Sequence, residues 1–219
     1  AWTGPKKALA RVYSAAGDSS ALLSISDQGG SANRVAVTGL AAGDWLAVWS
    51  SLDHESGPGI YAQRYSPTGQ ALGSAWPVST SLASDFENPS VIALKDGGWV
   101  IGWDQSSGQA TDGDVVLKRY DAQGMPVLVN GLAEPVVNAY RSGGQIKPAF
   151  AALPDGGWVV TWFDGGQSGQ AGIYMQRFGA DGQAQGQQAR VSQAGSYSQS
   201  PAVTALKDGG WSIAWQTLM

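Results

Sequence analysis

Polar residues able to bind sugar hydroxyls recur in the segments that follow tryptophan-rich stretches of the chain. These candidates are Asp53, His54, Glu55, Asp104, Gln105, Asp164 and Gln167. Neighbouring segments add three aromatic rings and a cation, at Phe86, Tyr140, Arg141 and Tyr197. Carboxylates and amides hydrogen-bond hydroxyls, while an aromatic ring stacks on the apolar face of a sugar. We therefore expect shallow carbohydrate-binding sites in these loops, with ordinary solvated loops as the alternative.

Two further acids predict a calcium ion in one of the loops. Asp112 and Asp114 offer carboxylate oxygens, which are the hard ligands that calcium prefers. Their spacing does not match a complete calcium-binding loop, so a solvated turn is the alternative. No other cofactor is expected.

The composition excludes several classes of site and partner. The 219 residues include no cysteine and one histidine, which excludes a disulfide scaffold, a cysteine nucleophile and a multi-histidine metal centre. The formal charge of −4 argues against nucleic acid or anionic lipid as a partner. No window approaches the roughly 18 uninterrupted apolar residues of a membrane span, so no membrane insertion is predicted.

Internal repeats decide the predicted architecture. A Trp-x3-Trp element begins at Trp45, Trp99, Trp158 and Trp211, with a period of 53 to 59 residues. A second element, an apolar stretch that ends in arginine, an aromatic residue and a glycine turn, follows the first three copies at 60–69, 115–124 and 173–182. The fourth copy of this second element lies at 8–17, near the N-terminus. The Trp element at Trp211, near the C-terminus, has no second element after it.

Each repeat reads as four short antiparallel strands, the size of a propeller blade. The sequence therefore predicts an all-β fold, a four-bladed β-propeller that occupies 1–219 as a single domain. Segments 34–88, 89–146 and 147–199 each form one blade, and the terminal segments 1–33 and 200–219 together complete the fourth. Half of an eight-bladed ring, formed by a dimer, is the alternative. The paired tryptophans are expected to fill the wedges between blades.

The repeats resemble known tandem repeats. The elements Leu-x-Asp-Gly-Gly-Trp-x3-Trp and Ile-Tyr-x-Gln-Arg-Phe/Tyr-x3-Gly resemble repeats of large secreted bacterial proteins of the adhesin and RTX-associated type. More loosely, the sequence is similar to the Trp-rich blades of tachylectin-like and tectonin-like lectins. The first repeat departs from the pattern, with Ala42-Gly43-Asp44 in place of Asp-Gly-Gly. The resemblance implies a secreted or cell-surface protein.

These observations predict a non-enzymatic binding module, lectin-like or adhesive, that binds a glycan or a protein surface as a monomer or homodimer. Repeats with similar loops favour several similar binding sites, and no pair of acids stands out as unique to one blade. A protein–protein interaction or scaffold propeller is one alternative. An enzyme of the glycoside hydrolase type, with acids not recognised in the sequence, is the other.

Overall fold

The computed structural model describes residues 7–26, 31–80, 85–106, 113–166, 171–193 and 197–218, with the side chains of residues 197 and 218 left out. All regular elements within these ranges are β-strands, which confirms the all-β prediction. Among the described residues, no helix has the length and apolar character that crossing a membrane requires.

The strands form three four-stranded antiparallel sheets with a two-stranded sheet at either end. The N-terminal sheet consists of β1 (Leu9–Ala10) and β2 (Leu23–Ser24). The first sheet contains β3 (Arg34–Gly39), β4 (Trp45–Ser51), β5 (Gly59–Tyr65) and β6 (Trp76–Pro77). The second contains β7 (Asp85–Ala93), β8 (Trp99–Ser106), β9 (Asp114–Tyr120) and β10 (Pro126–Val127). The third contains β11 (Gln145–Ala152), β12 (Trp158–Asp164), β13 (Gly172–Phe178) and β14 (Ala184–Arg190). The C-terminal sheet consists of β15 (Tyr197–Ala205) and β16 (Trp211–Leu218).

In each four-stranded sheet, an aspartate at the turn between the first two strands forms an ion pair with an arginine on the third strand. In the second sheet Asp96 accepts a hydrogen bond from the Gly98 amide at 2.9 Å. It also forms an ion pair with Arg119 on β9 at 2.8 Å. Gly98 is required there, since a Cβ atom would lie 2.3 Å from a backbone oxygen. The same ion pair joins Asp44 to Arg64 and Asp155 to Arg177. The recurring arginine is therefore a structural residue.

Tryptophan side chains fill the space between successive sheets. Trp99 and Trp103 pack against the first sheet, and Trp158 and Trp162 pack against the second. All four side chains are at most 2% exposed. Such burial removes large apolar surfaces from water and fixes the position of each sheet on its neighbour. The predicted role of the Trp pairs in these sheets is confirmed.

The innermost strands stand side by side around a common axis. β3 packs on β7, β7 on β11, and β11 on β15. Equivalent residues of β7, β11 and β15 line one cavity together with Arg34 and Val35 of β3. The arrangement is propeller-like, with the sheets as blades.

The terminal sheets pack on different neighbours. Ala8 and Ile25 join the core of the first sheet, whereas Val203 packs on the third. Among the described strands β16 and β1 are not paired, and Val35 and Val37 on β3 are 49% and 59% exposed. The number of blades and their closure stay predictions.

Truncation of Trp103 should damage folding more than truncation of the same position in the last sheet. Trp103 is fully buried, so Trp103→Ala should lower the free energy of unfolding by about 3 to 5 kcal/mol. Trp215 is 37% exposed, and Trp215→Ala should cost less than half as much. Urea unfolding followed by tryptophan fluorescence measures both, and equal losses would contradict the packing described here.

Candidate active site

Three carboxylates lie on one face of the second sheet, at the end of its two innermost strands. Glu87 on β7 is directly opposite Asp104 on β8, and Asp85 is directly opposite Ser106. Because opposite residues of an antiparallel pair share a face, as do residues two apart on one strand, these side chains point the same way. All three acids line a cavity of about 210 Å³.

The acidic cluster breaks the internal repeat. At the place of Asp104 in the strand ladders, the other sheets have Ser50, Phe163 and Gln216. At the place of Glu87 they have Arg34, Ile146 and Gln199. The cavity is therefore a single asymmetric site rather than one of several equivalent loops.

Asp104 is the acid with the most altered environment. Its side chain is buried, and this desolvation raises the pKa of the carboxyl group to about 6. The Asn88 side-chain amide donates to both carboxylate oxygens, at 2.9 and 3.2 Å, and the Lys147 backbone amide donates to one at 3.0 Å; both contacts lower the pKa. The neighbouring Glu87 raises it. Asp104 is thus a carboxylic acid that holds its proton in mildly acidic solution.

Two strained bulges build this environment. Asn88 and Lys147 each precede a proline and adopt positive φ angles of 48° and 55°. The ladders of β7 and β11 shift register at these residues. Non-glycine residues in the left-handed region cost about 1 to 3 kcal/mol each, and such strain persists only where the surrounding structure holds it. Here the bulges bring the Asn88 side chain and the Lys147 amide onto Asp104.

Of the residues predicted from the sequence, Asp104 and Gln105 line the acidic cavity. Gln105 accepts a hydrogen bond from the Trp103 indole at 3.1 Å. Phe86 was predicted to stack on a ligand, and the structure corrects this, because its ring is 1% exposed and lies in the core between the first and second sheets.

The loop of the first sheet does not reach the acidic cavity. Asp53 accepts hydrogen bonds from the backbone amide and hydroxyl of Ser31, which lower the pKa of its carboxyl group and tie two segments together. His54 stacks on Tyr61 with ring centroids 3.8 Å apart. Glu55 is exposed. Asp53 and His54 thus serve the local structure of the loop.

The loop of the third sheet contributes to a second cavity, of about 840 Å³. Tyr140, which is 65% exposed, and the buried Asp164 both line it. The Asp164 carboxylate accepts hydrogen bonds from the Gly166 amide at 2.8 Å and the Gln145 side chain at 3.2 Å. The cavity has an aromatic wall but a carboxylate that is already engaged with its own loop.

Only Asp114 of the two predicted metal ligands lies in the described part of the chain. Asp114 forms an ion pair with Arg141 at 2.8 Å and accepts a hydrogen bond from Asn138 at 2.7 Å. Asp112 and Gln167 lie outside the described residues, as does the side chain of Tyr197 at the start of β15. Within the described ranges no group of three or more histidine, cysteine, aspartate or glutamate side chains is arranged to hold a metal ion. The calcium site stays a prediction.

Sequence reasoning missed most of the polar and charged residues that complete the cavity wall. They include Arg34, Glu87, Asn88 and Lys147. The sequence did contain a signal for this site, namely a departure from the repeat. Only the second repeat has acidic residues at both of the positions that Glu87 and Asp104 occupy. Comparing the copies position by position, instead of searching for what they share, would have found Glu87 as a partner for the predicted Asp104.

No family model and no curated protein matches the sequence. Three arabinan-degrading enzymes resemble the fold. An endo-arabinanase of family GH43 from Bacillus licheniformis matches with a TM-score of 0.51 at 14% identity, covering 80% of this chain and 68% of that one. An endo-arabinase from Bacteroides thetaiotaomicron matches with a TM-score of 0.54 at 13% identity, covering 90% and 78%. An α-L-arabinanase from Penicillium chrysogenum, solved with arabinobiose, matches with a TM-score of 0.57 at 13% identity, covering 96% and 67%.

These matches correct two predictions made from the sequence. The chain was predicted to be a non-enzymatic binding module and therefore not an enzyme, and both predictions are wrong, because the three solved structures reported above, which resemble its fold, are arabinanases. The hydrolase-type alternative agrees with them better. At identities of 13 to 14% the likeness concerns the fold, and the resemblance to adhesin-type repeats and lectins stays a prediction.

Proposed function

We propose that this protein is a glycoside hydrolase whose catalytic acids lie in the cavity of the second sheet. The observation that carries the proposal is the asymmetric cluster of Asp85, Glu87 and Asp104, in which burial raises the pKa of Asp104 while the other two acids face the same cavity. Hydrolysis of a glycosidic bond needs such a division between a proton donor and an ionised carboxylate. The fold of the matched arabinanases supports this proposal.

Asp104 is the proposed general acid. In its protonated state it donates a proton to the glycosidic oxygen as the bond from that oxygen to the anomeric carbon breaks. Asp85 is the proposed general base, which takes a proton from the water that attacks the same carbon. Glu87 stands between the two, where its charge favours the protonated state of Asp104. Arg34 lies 3.4 Å from Glu87 and orients it.

The strand register indicates the stereochemistry. Asp85 and Asp104 are diagonal neighbours across the β7–β8 ladder, a relationship that separates the Cα atoms by about 7 to 8 Å. Separations of about 6.5 to 9.5 Å between two carboxyl groups leave room for a water molecule and are typical of inverting enzymes. We therefore assign an inverting mechanism.

The same proposal covers partner and location. The partner is a glycan that serves as substrate. Extracellular polysaccharides do not cross membranes, so an enzyme that acts on them must meet them outside the cell, and we propose a secreted or cell-surface protein.

For the fold, we propose that four blades close within one chain through pairing of β16 with β1. In the complete sheets the first tryptophan of each pair stacks on the ring that ends the third strand, as Trp45 does on Tyr65 at 4.3 Å. Trp99 on Tyr120 and Trp158 on Phe178 repeat this contact. Closure would place Tyr13, which is 65% exposed, beside Trp211 as the fourth pair.

Asp104→Asn should abolish hydrolysis and yet stabilise the protein at neutral pH. In the wild type the pKa of Asp104 rises from 3.8 to about 6 on folding, so the stability from this group is complete below pH 3.8 and is lost as the pH rises through 6. The neutral side chain avoids that loss, worth up to about 3 kcal/mol. Urea unfolding from pH 3.5 to 8 measures the difference, and parallel curves for both proteins would contradict the assignment.

Hydrolysis by the wild type should invert the anomeric configuration. Proton NMR of the first-formed product, with arabinan, xylan and polygalacturonate as test polymers, records the configuration before mutarotation.

Asp85→Asn should lower kcat by about 10²- to 10⁴-fold, because it removes the general base. Retention would reassign the reaction to Glu87 as nucleophile, and absence of hydrolysis with all three polymers and their acetylated forms would overturn the proposed activity.

Closure can be tested with cysteines because the chain has none. By analogy with the pairing of Val48 with Ala62, closure places Ala214 opposite Ala10. The variant Ala10→Cys/Ala214→Cys should form a disulfide within one chain, since opposite strand residues lie within disulfide range. Non-reducing electrophoresis reports the link. Disulfide-linked dimers would favour the eight-bladed ring, and a control pair, Ala10→Cys/Ala205→Cys, should not cross-link.

A further inference from the structure

The cavity on the axis carries positive charge. Its wall contains Arg34 and Lys147, and none of the described residues that line it is acidic. The remaining lining residues are apolar or uncharged: Val35, Asn88, Pro89, Ser90, Pro148, Ser200 and Pro201. With a volume of about 420 Å³, this axial cavity falls in the size range of ligand sites. Two cations facing one acid-free cavity are unexpected in a protein with a formal charge of −4.

Neither cation is tightly neutralised by the protein. The Lys147 ammonium group donates a long hydrogen bond, 3.4 Å, to the Ser200 hydroxyl, an uncharged partner. The Arg34 guanidinium is 3.4 Å from Glu87, and its side chain is 53% exposed. By contrast, Arg64 and Arg119 meet carboxylates at 2.8 Å. The two axial cations therefore retain the capacity to bind an external anion.

The axial cavity adjoins the acidic cavity. Arg34, Asn88 and Lys147 line both. Lys147 joins them most directly, because its backbone amide donates to Asp104 at 3.0 Å while its ammonium group reaches Ser200. A saccharide whose glycosidic bond lies at Asp104 can thus place a ring substituent in the axial cavity.

We propose that the substrate is an anionic saccharide, whose carboxylate or sulfate substituent binds Lys147 and Arg34 in the axial cavity while its glycosidic bond lies at Asp104. This inference rests on the proposed hydrolase function and adds the substrate class. Lys147 supplies a point charge beside the acid, and Arg34 supplies a planar group that can bind a carboxylate or sulfate through two hydrogen bonds. A neutral saccharide would offer no charge to the Lys147 ammonium group, whose hydrogen-bond partner in the protein is the uncharged Ser200 hydroxyl.

Binding to a variant that cannot turn over separates this inference from the catalytic proposal. We would titrate the Asp104→Asn protein calorimetrically with trigalacturonate, a monosulfated galactose trisaccharide and arabinotriose. The anionic sugar should bind, and adding Lys147→Met should weaken it at least about tenfold, since a charge-assisted contact is lost. Lys147→Arg should restore part of the affinity. The matched control is Lys207→Met, which removes the same charge from an exposed turn and should change affinity less than about twofold.

The outcomes are distinct for the two proposals. Lys147-dependent binding of trigalacturonate identifies a carboxylate substrate, and the same result with the galactose sulfate alone identifies a sulfate substrate. Arabinotriose binding as tightly as both anionic sugars, or equal affinities with and without Lys147→Met, would overturn the inference while leaving hydrolysis of neutral polymers intact. Binding of an anionic sugar, together with no hydrolysis of any of the test polymers by the wild type, would overturn the hydrolase proposal instead. Matching thermal unfolding curves for the Lys147 and Lys207 variants exclude misfolding as the cause of any difference.

Discussion

The burial of tryptophan pairs between neighbouring sheets positions everything else in this structure. Trp103 and Trp162 lie at equivalent places in successive sheets and are completely buried. The indole nitrogens of Trp99, Trp158 and Trp162 are buried without a hydrogen-bond partner among the described residues, so the contacts are dominated by apolar packing. Such packing tolerates little displacement, because a void between sheets loses dispersion contacts on both sides. The inner strand ends are therefore held in a constant relation around the axis.

On this scaffold, the bulges before Pro89, Pro148 and Pro201 repeat one backbone conformation with a different side chain in each copy. Asn88, Lys147 and Ser200 share a positive φ and point toward the same axis. A common backbone thus presents an amide, an ammonium group and a hydroxyl in one place. The repeat supplies the geometry, and the differences between copies supply the chemistry.

Asp104 shows how stability and the proposed activity oppose each other. Desolvation raises the pKa of Asp104, so the ionised state weakens the fold at neutral pH. The Asn88 amide and the Lys147 amide reduce this penalty without removing it. A buried acid with a raised pKa beside two further carboxylates is common in catalytic sites, where it provides a proton donor. Aspartates at the turns, such as Asp96, instead serve the fold through their ion pairs.

The all-β class, the strand order within each blade and the buried tryptophans follow from the sequence alone, because strand alternation and glycine turns are local properties repeated several times. The ion pair between Asp96 and Arg119 depends on which strands pair. The burial of Phe86 depends on which face of its strand meets the neighbouring sheet. The site depended most on tertiary structure. Glu87 and Asp104 are separated by a whole hairpin, and Lys147 belongs to another repeat, so only the pairing of β7 with β8 and the packing of β11 beside them bring these charges together.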